Sequence, residues 1–172
     1  MTGRRAAPEP PGEPPPGPRP QAPHVTVGIR RLPHAAGPPE RASAGSAGYD
    51  LRAATDAAVR IEPGARALIP TGLVLGLPPG YEAQIRPRSG LAYRRGLTVL
   101  NAPGTIDSDY RGEVKLLLVN LGRRPITIER GERLAQMVVA AVPEIAFRED
   151  DALGARRVAG ERNDGGFGST GR

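Results

Sequence analysis

Short apolar segments separated by glycine and proline are the feature that most constrains the fold of this chain. Val59 and Ile61 flank Arg60, and residues 25–29, 81–85 and 126–128 follow the same alternation of apolar and other residues. A period of two is the pattern of a β-strand that buries one face. Further short apolar runs occupy residues 67–77, 97–100, 114–119 and 134–142. Turn residues recur between the segments, so the pattern predicts an all-β sandwich or barrel with residues 89–95 as its one short helix.

The first 24 of the 172 residues differ in composition from the rest of the chain. Proline occurs nine times among them and apolar side chains are few. We expect residues 1–24 to be disordered or extended as polyproline, without a role in the active site. A proline-rich ligand for a partner protein is the alternative. The remaining length is that of one domain.

The composition excludes several kinds of site. The chain has no cysteine, and its histidines are His24 and His34. Disulfides, thiolate metal sites and histidine-rich zinc sites are therefore ruled out, and any metal is expected to be held by oxygen. The longest apolar runs are too short to span a bilayer, and the N-terminus has no apolar signal-peptide core. We expect a soluble cytoplasmic protein that binds no membrane.

The formal net charge of +6 is the difference between 24 basic and 18 acidic residues. Lys115 is the only lysine among the basic residues. Arginine binds phosphate oxygens through two parallel N–H groups, so this composition favours nucleotide polyphosphates or nucleic acid as partners. A GC-rich genome would also enrich the chain in Arg, Ala, Gly and Pro. The charge alone therefore does not choose a function.

Residues 105–111, TIDSDYR, hold the best candidates for chemistry. Asp107 and Asp109 stand beside Tyr110, at what we predict to be the tip of a hairpin. A carboxylate that is not paired with a cation can take a proton from water, and an aromatic face can pack against a sugar or base. The alternative is a pair of solvated turn formers. The group indicates phosphate-ester hydrolysis only if other residues support it.

Two further segments are candidates for binding phosphate. Residues 88–90 lie where a predicted strand ends and the short helix begins, which makes Ser89 the predicted N-cap, with backbone N–H groups free for an anion. A capped surface helix with solvated arginines is the alternative. Near the C-terminus Phe167 stands among four glycines, next to Ser169 and Thr170. This composition suits a lid over a nucleotide, and a frayed tail is the alternative.

Aromatic residues are scarce, because the chain has four tyrosines, two phenylalanines and no tryptophan. The core must be built from Val, Leu, Ile and Ala, which leaves an isolated subunit short of bulky side chains. Oligomerisation would supply the missing burial.

Five sequence blocks occur in the order in which they occur in a known family. Residues 47–53 (AGYDLRA), 87–92 (PRSGLA), 104–112 (GTIDSDYRG), 130–136 (RGERLAQ) and 162–171 (RNDGGFGSTG) resemble the five motifs of the trimeric dUTP pyrophosphatases, the dUTPases. The resemblance covers about residues 25–171. It implies a jelly-roll-like distorted β-barrel of the dUTPase β-clip type, with one short helix, that assembles as a homotrimer. Residues 25–144 would form the barrel domain, and residues 145–172 an arm and glycine-rich lid that closes a neighbouring subunit's site.

The resemblance also implies a reaction. A dUTP diphosphatase hydrolyses dUTP to dUMP and pyrophosphate by in-line attack of water on the α-phosphate, which keeps uracil out of DNA and supplies dUMP for thymidylate synthesis. By this resemblance Asp107 is the general base, and Tyr110 packs against deoxyribose and leaves no room for a 2′-hydroxyl. Mg²⁺ bridges the three phosphates, and Asp50 either reaches it through water or holds an arginine in place. The first, second and fourth blocks come from one subunit, the third from a neighbour and the lid from the third subunit.

The implied binding residues form two groups. The nucleoside is bound by Asn101, Gly104, Thr105, Ile106, Tyr110 and Phe167. The phosphates are bound by Arg88, Ser89, Gly90, Gln136, Arg162, Gly168, Ser169 and Thr170. Main-chain groups of the predicted hairpin read uracil with help from the Asn101 side chain, so that cytosine leaves buried groups unpaired and the thymine methyl meets a close wall.

The chain departs from the family pattern after Arg162. The family usually has glycine there, whereas this chain has Asn163 followed by Asp164. The alternatives to a dUTPase are a dCTP deaminase or a non-catalytic nucleotide-binding protein on the same fold, and a basic nucleic-acid-binding module. A deaminase would lack the acidic hairpin and the lid, and a sensor without turnover would have lost Asp107 or Arg162. A nucleic-acid module needs aromatic platforms on a basic face. We therefore expect a dUTPase that binds no nucleic acid.

Overall fold

The computed structural model describes residues 24–152, and these form eleven β-strands and one short helix. The strands are β1 (Gly28–Arg31), β2 (Glu40–Arg41), β3 (Tyr49–Arg52), β4 (Val59–Ile61), β5 (Arg66–Gly76), β6 (Tyr81–Pro87), β7 (Leu97–Val99), β8 (Gly104–Ile106), β9 (Glu113–Asn120), β10 (Ile126–Ile128) and β11 (Arg133–Ala141), and the helix is α1 (Ser89–Arg95). No helix in this part of the chain is long and apolar enough to cross a membrane. The predicted all-β class with one short helix is confirmed.

The strands form three antiparallel sheets. A four-stranded sheet has the order β1-β5-β9-β7, a five-stranded sheet the order β2-β3-β11-β6-β8, and β10 pairs with β4. One cluster of buried side chains draws on all three sheets. In β9, for example, Val114, Leu116 and Leu118 are buried whereas Lys115 between them is exposed, as the period of two requires. The core therefore lies between the sheets and is built from aliphatic residues.

A buried asparagine closes one end of this core. Asn120 is fully buried, and its amide nitrogen donates to the carbonyl oxygens of Ile61 and Arg124, each at 2.9 Å. Its side-chain oxygen accepts a hydrogen bond from the backbone N–H of Gly122 at 2.9 Å. The side chain thus replaces strand hydrogen bonds where the chain turns, because buried backbone groups need partners.

The prediction that residues 105–111 form the tip of a hairpin is wrong. β8 pairs with β6 in the five-stranded sheet, whereas β9 pairs with β5 and β7 in the four-stranded sheet. Residues 107–112 therefore cross from one sheet to the other. Local turn chemistry does not distinguish a hairpin from such a crossing, because sheet membership is decided by distant strands.

The prediction that Ser89 is the helix N-cap is also wrong. Arg88 is the N-cap: its backbone is extended (φ −88°, ψ 121°), and its carbonyl oxygen accepts hydrogen bonds from the N–H groups of Leu91 and Ala92, both at 3.0 Å. Ser89 is already helical, and no side chain caps the helix. The preceding Pro87 ends β6, so the helix begins one residue earlier than the serine preference suggested. Gly96 ends the helix in the left-handed conformation (φ 70°).

Candidate active site

The central position of β11 brings the first, second and fourth sequence blocks together. β11 lies between β3 and β6, and Gln136 on β11 is opposite Asp50 on β3. The Gln136 amide donates to the carbonyl oxygen of Pro87, at the end of β6, at 3.1 Å. Gly48 leaves room for this arrangement, because a Cβ there would overlap the Gln136 side chain. Cross-strand pairing thus places residues from distant parts of the chain at one point.

Asp50 forms ion pairs with two arginines. Its Oδ1 lies 3.0 Å from Nε of Arg88, and its Oδ2 lies 3.1 Å from Nη1 of Arg133. Nη1 of Arg88 also donates to the carbonyl oxygen of Arg133 at 3.0 Å. Asp50 is only 8% exposed, so the carboxylate is paired on both oxygens as burial requires. The group keeps one net positive charge, and of the two predicted roles of Asp50 this geometry matches the holding of an arginine.

Sequence reasoning gave Arg133 no role. A register shift between Arg133 and Ala135 in the pairing of β11 with β3 lets the Arg133 side chain reach Asp50. Such a bulge has no reliable sequence signature here, because neither glycine nor proline marks it. The pair could be found only from the register of the two strands.

A cavity of about 220 Å³ lies at this junction, and we call it the phosphate cavity. Its lining includes five residues predicted to act near the phosphates or metal, namely Asp50, Arg88, Ser89, Gly90 and Gln136. The lining also contains Arg94, which was not among the predicted site residues. The other predicted phosphate residues, Arg162, Gly168, Ser169 and Thr170, and the predicted lid residue Phe167 lie outside the described residues.

Asp107 lies in a different cleft, of about 440 Å³. The cleft is lined by Gly80, Tyr81, Glu82, Asp107, Ser108, Val142, Pro143 and Glu144. Asp107 is exposed, and none of the ion pairs among residues 24–152 involves it. An accessible carboxylate without a cationic partner can accept a proton from water.

Two backbone contacts, with Glu113 and Gly112, fix the orientation of the Tyr110 ring. Its hydroxyl donates to the carbonyl oxygen of Glu113 at 3.0 Å, and the side chain is 43% exposed. The ring packs over Gly112, where a Cβ would lie 2.6 Å from the ring atom Cζ. Glycine at position 112 is therefore required for this orientation of the ring.

Glu113 anchors the same loop to β5 through its side chain. Its Oε1 lies 2.9 Å from Nε2 of His34 and accepts a hydrogen bond from the backbone N–H of Gly72 at 2.7 Å. Burial acts to raise the pKa of Glu113, but the hydrogen bonds from His34 and Gly72 and the charges of His34 and Lys115 outweigh it, so this pKa is lowered from 4.5. Sequence reasoning missed this anchor, because the partners lie 79 and 41 residues away.

Four of the predicted nucleoside residues lie on β8 and in the loop before it. Gly104 is buried, Ile106 is half-buried, and Asn101 and Thr105 are exposed. A Cβ at Gly104 would lie 3.1 Å from the side-chain nitrogen of Asn101, closer than most real contacts. The absence of a side chain at position 104 thus lets Asn101 lie against the strand.

The two cavities are at opposite ends of β6. Ile106 pairs with Ala83 near the start of β6, so Asp107 lies beside Glu82, whereas Arg88 follows the last residue of β6. Glu82 and Arg88 are six residues of extended chain apart, which is a distance of about 20 Å. The structure therefore brings together the phosphate residues of one chain but not the same chain's Asp107.

An all-β subunit with an arginine-lined cavity and an accessible carboxylate beside a tyrosine has the features of an enzyme that acts on nucleotide phosphates. Comparison with known proteins agrees, because the family model for dUTPase matches residues 35–171. The chain belongs to the dUTPase family.

Individual relatives support this assignment. The chain is 56% identical over 151 residues to the deoxyuridine 5′-triphosphate nucleotidohydrolase of Methylocella silvestris, covering 86% of this chain and 92% of that protein. Among solved structures, the Staphylococcus bacteriophage 80alpha dUTPase with dUpNHpp matches with a TM-score of 0.75 and 26% identity over 86% of this chain and 99% of that one. A mutant dUTPase from S. aureus phage phi11, which coordinates a structural Mg(II) ion, has a TM-score of 0.65 and 26% identity over 74% and 99% of the two chains.

Proposed function

We propose that this dUTPase hydrolyses dUTP to dUMP and pyrophosphate, with Asp107 as the general base that aligns and deprotonates the attacking water. The accessibility of Asp107 and its lack of an ion pair within residues 24–152 support this role. Attack on the α-phosphorus needs a water held in line with the leaving pyrophosphate, and positioning and charge neutralisation supply most of the catalysis in such reactions.

The phosphate cavity would neutralise the triphosphate. Asp50 holds Arg88 by an ion pair, so the guanidinium is positioned before substrate arrives. Gln136 uses one amide hydrogen on Pro87, and its second is available for a phosphate oxygen. Ser89 adds a residue with a hydroxyl to the lining, and Gly90 adds one without a side chain.

A site shared between subunits is the arrangement that best fits the geometry. Asp107 and Arg88 of one chain are about 20 Å apart along β6, whereas a base must lie within about 3 Å of the proton it takes. A triphosphate held in the phosphate cavity is too short to reach the same chain's Asp107. We infer that the third block of a neighbouring subunit supplies Asp107 and Tyr110. The separation of Asp107 from Arg88 within one chain is the observation that carries the proposal of a homotrimer.

An apolar outer surface on the four-stranded sheet supports this assembly. Leu68 and Leu117 are neighbours across β5 and β9, and Leu68 and Leu100 are 58% and 46% exposed. Burying large aliphatic side chains against another copy stabilises the assembly by roughly 25 cal/mol per Å² of apolar surface. An isolated subunit would leave this surface in water.

Mg²⁺ is proposed as the cofactor. Both carboxylate oxygens of Asp50 are occupied by arginines, and residues 24–152 contain no cluster of three His, Cys, Asp or Glu side chains. This donor set fits an ion that would be held mainly by phosphate oxygens and water, with Asp50 holding Arg88 and Arg133 beside it. When bound, Mg²⁺ would neutralise charge on the phosphates and hold them in one geometry.

The specificity of the proposed enzyme would come from the third block and the lid. Tyr110, fixed by Glu113 and Gly112, would pack against deoxyribose and exclude a 2′-hydroxyl. Residues 145–172 are proposed to form the arm and lid that close a neighbour's site, residues 25–144 the barrel, and residues 1–24 a segment outside the catalytic unit. Such an enzyme would act in the cytoplasm, where it keeps uracil out of DNA and supplies dUMP.

Product analysis with a matched pair of variants tests the proposal. Purified protein is incubated with dUTP, dCTP, dTTP or UTP and Mg²⁺, and dUMP and pyrophosphate are expected from dUTP alone. Asp107→Asn should lower kcat by at least about 100-fold and leave binding of the analogue dUpNHpp within a few-fold. Asp109→Asn is the control, because it removes a neighbouring carboxylate that has no assigned role. Full activity of Asp107→Asn, or deamination of dCTP, would refute the proposal.

A further inference from the structure

Arg94 occupies a position that none of the assigned phosphate residues fills. It lies four residues after Gly90 on α1, on the same face and one turn later. Long side chains on a helix point back towards its N-terminus, which carries the guanidinium over Gly90. A Cβ at Gly90 would lie 2.9 Å from Nη2 and 3.3 Å from Cζ of Arg94. The missing side chain at position 90 therefore lets the guanidinium lie in the wall of the phosphate cavity.

The charge of Arg94 is not compensated within residues 24–152. Arg88, the other arginine in the wall, pairs with Asp50 at 3.0 Å. The guanidinium of Arg94 is in none of the ion pairs or hydrogen bonds of this part of the chain, and the side chain is exposed. The next residue differs: Arg95 lies 3.7 Å from Glu132 and donates to the carbonyl oxygen of Thr127 at 3.3 Å. Arg94 thus keeps its N–H donors and full charge available for an anion.

Arg94 also lines a second, larger cavity. This cavity, of about 570 Å³, contains Arg94, Arg95, Arg123 and Arg124 and no acidic residue in its lining. Arg94 is the residue that the two linings share. The side chain therefore stands where the phosphate cavity opens towards a positively charged surface.

We propose that Arg94 binds the outer phosphates of dUTP and selects the triphosphate over the monophosphate. This inference rests on the proposed function of the site. The guanidinium moves from its position over Gly90 to form charge-assisted hydrogen bonds with the β- or γ-phosphate. The product dUMP lacks these phosphates, so Arg94 strengthens substrate binding without strengthening retention of the nucleotide product.

The neighbouring arginines give a matched test. Arg94→Gln is compared with Arg95→Gln, which removes the same charge from the adjacent residue. We expect Arg94→Gln to raise the KM for dUTP and the Kd for dUpNHpp about tenfold or more, with kcat within about threefold. The Kd for dUMP should stay within twofold. Arg95→Gln should change the Kd for dUpNHpp less than threefold.

A charge-preserving variant separates binding from structure. Arg94→Lys keeps the charge but loses the two-pronged geometry, so it should recover part of the lost affinity for dUpNHpp. Because Arg94 is exposed, both variants should melt at the wild-type temperature. Equal affinity of wild type and Arg94→Gln for dUpNHpp, or an equal loss for dUMP, overturns the inference. Failure of the wild type to hydrolyse dUTP would instead overturn the proposed function.

Discussion

Two inactive variants of this protein should regain activity when they assemble in one particle. Arg88→Gln removes a guanidinium from the phosphate cavity and leaves Asp107 intact, whereas Asp107→Asn does the reverse. Each variant alone is expected to retain no more than about one hundredth of the wild-type kcat. If one chain supplies the cavity and its neighbour supplies Asp107, a mixed assembly contains a site with neither change.

The size of the recovery follows from the geometry of the site. The separation of about 20 Å along β6 places the two groups of one chain in different sites. In a cyclic trimer that contains both variants, one of the three neighbour contacts joins an intact cavity to an intact Asp107. The mixed trimer should therefore reach about one third of the wild-type kcat per trimer.

The assay uses two affinity tags. The variants are co-expressed with different tags, and particles that carry both are isolated by two successive affinity steps. Release of pyrophosphate from dUTP is then measured. As the control, each variant is co-expressed with a differently tagged copy of itself and isolated in the same way. Mixed particles no more active than the pure variants would refute a site shared between subunits.

Three further predictions concern the stability of the fold and the orientation of the tyrosine. Asn120→Leu removes three side-chain hydrogen bonds to the backbone, one of them to the carbonyl oxygen of the buried Ile61, and should lower the free energy of unfolding by about 3 kcal/mol and the melting temperature by roughly 6–12 °C, measured by urea and thermal unfolding. Because the pKa of Glu113 is lowered from 4.5 in the folded protein, its ionised form contributes stability above pH 4.5 that is lost as the pH falls through the folded pKa. Glu113→Gln should therefore narrow the difference in unfolding free energy between pH 7 and pH 3, and the exposed Glu129→Gln should not. Gly112→Ala forces the ring of Tyr110 out of its place, and should lower kcat/KM for dUTP about 10- to 100-fold and weaken the discrimination against UTP.

Local sequence patterns determined the class of fold. Alternation in residues 59–61 and 126–128 identified β4 and β10, and the stretch at 89–95 coincides with α1. These patterns are readable because each strand exposes one face and buries the other, so the signal is complete within a few residues. The five blocks also identified the family, because each keeps its residue types together along the chain.

Tertiary structure decided where the residues of those blocks stand. The crossing of residues 107–112 between sheets, the bulge that brings Arg133 to Asp50 and the position of Arg94 over Gly90 were not predicted. The first two depend on strand order and strand register, which are decided by contacts between residues distant in sequence. The third depends on the direction in which a side chain leaves its helix, and only the structure shows that this side chain lines the phosphate cavity. The sequence by itself therefore determined that this chain is an all-β dUTPase, and the packing of its sheets decided that one chain's phosphate residues and its Asp107 lie at opposite ends of a strand.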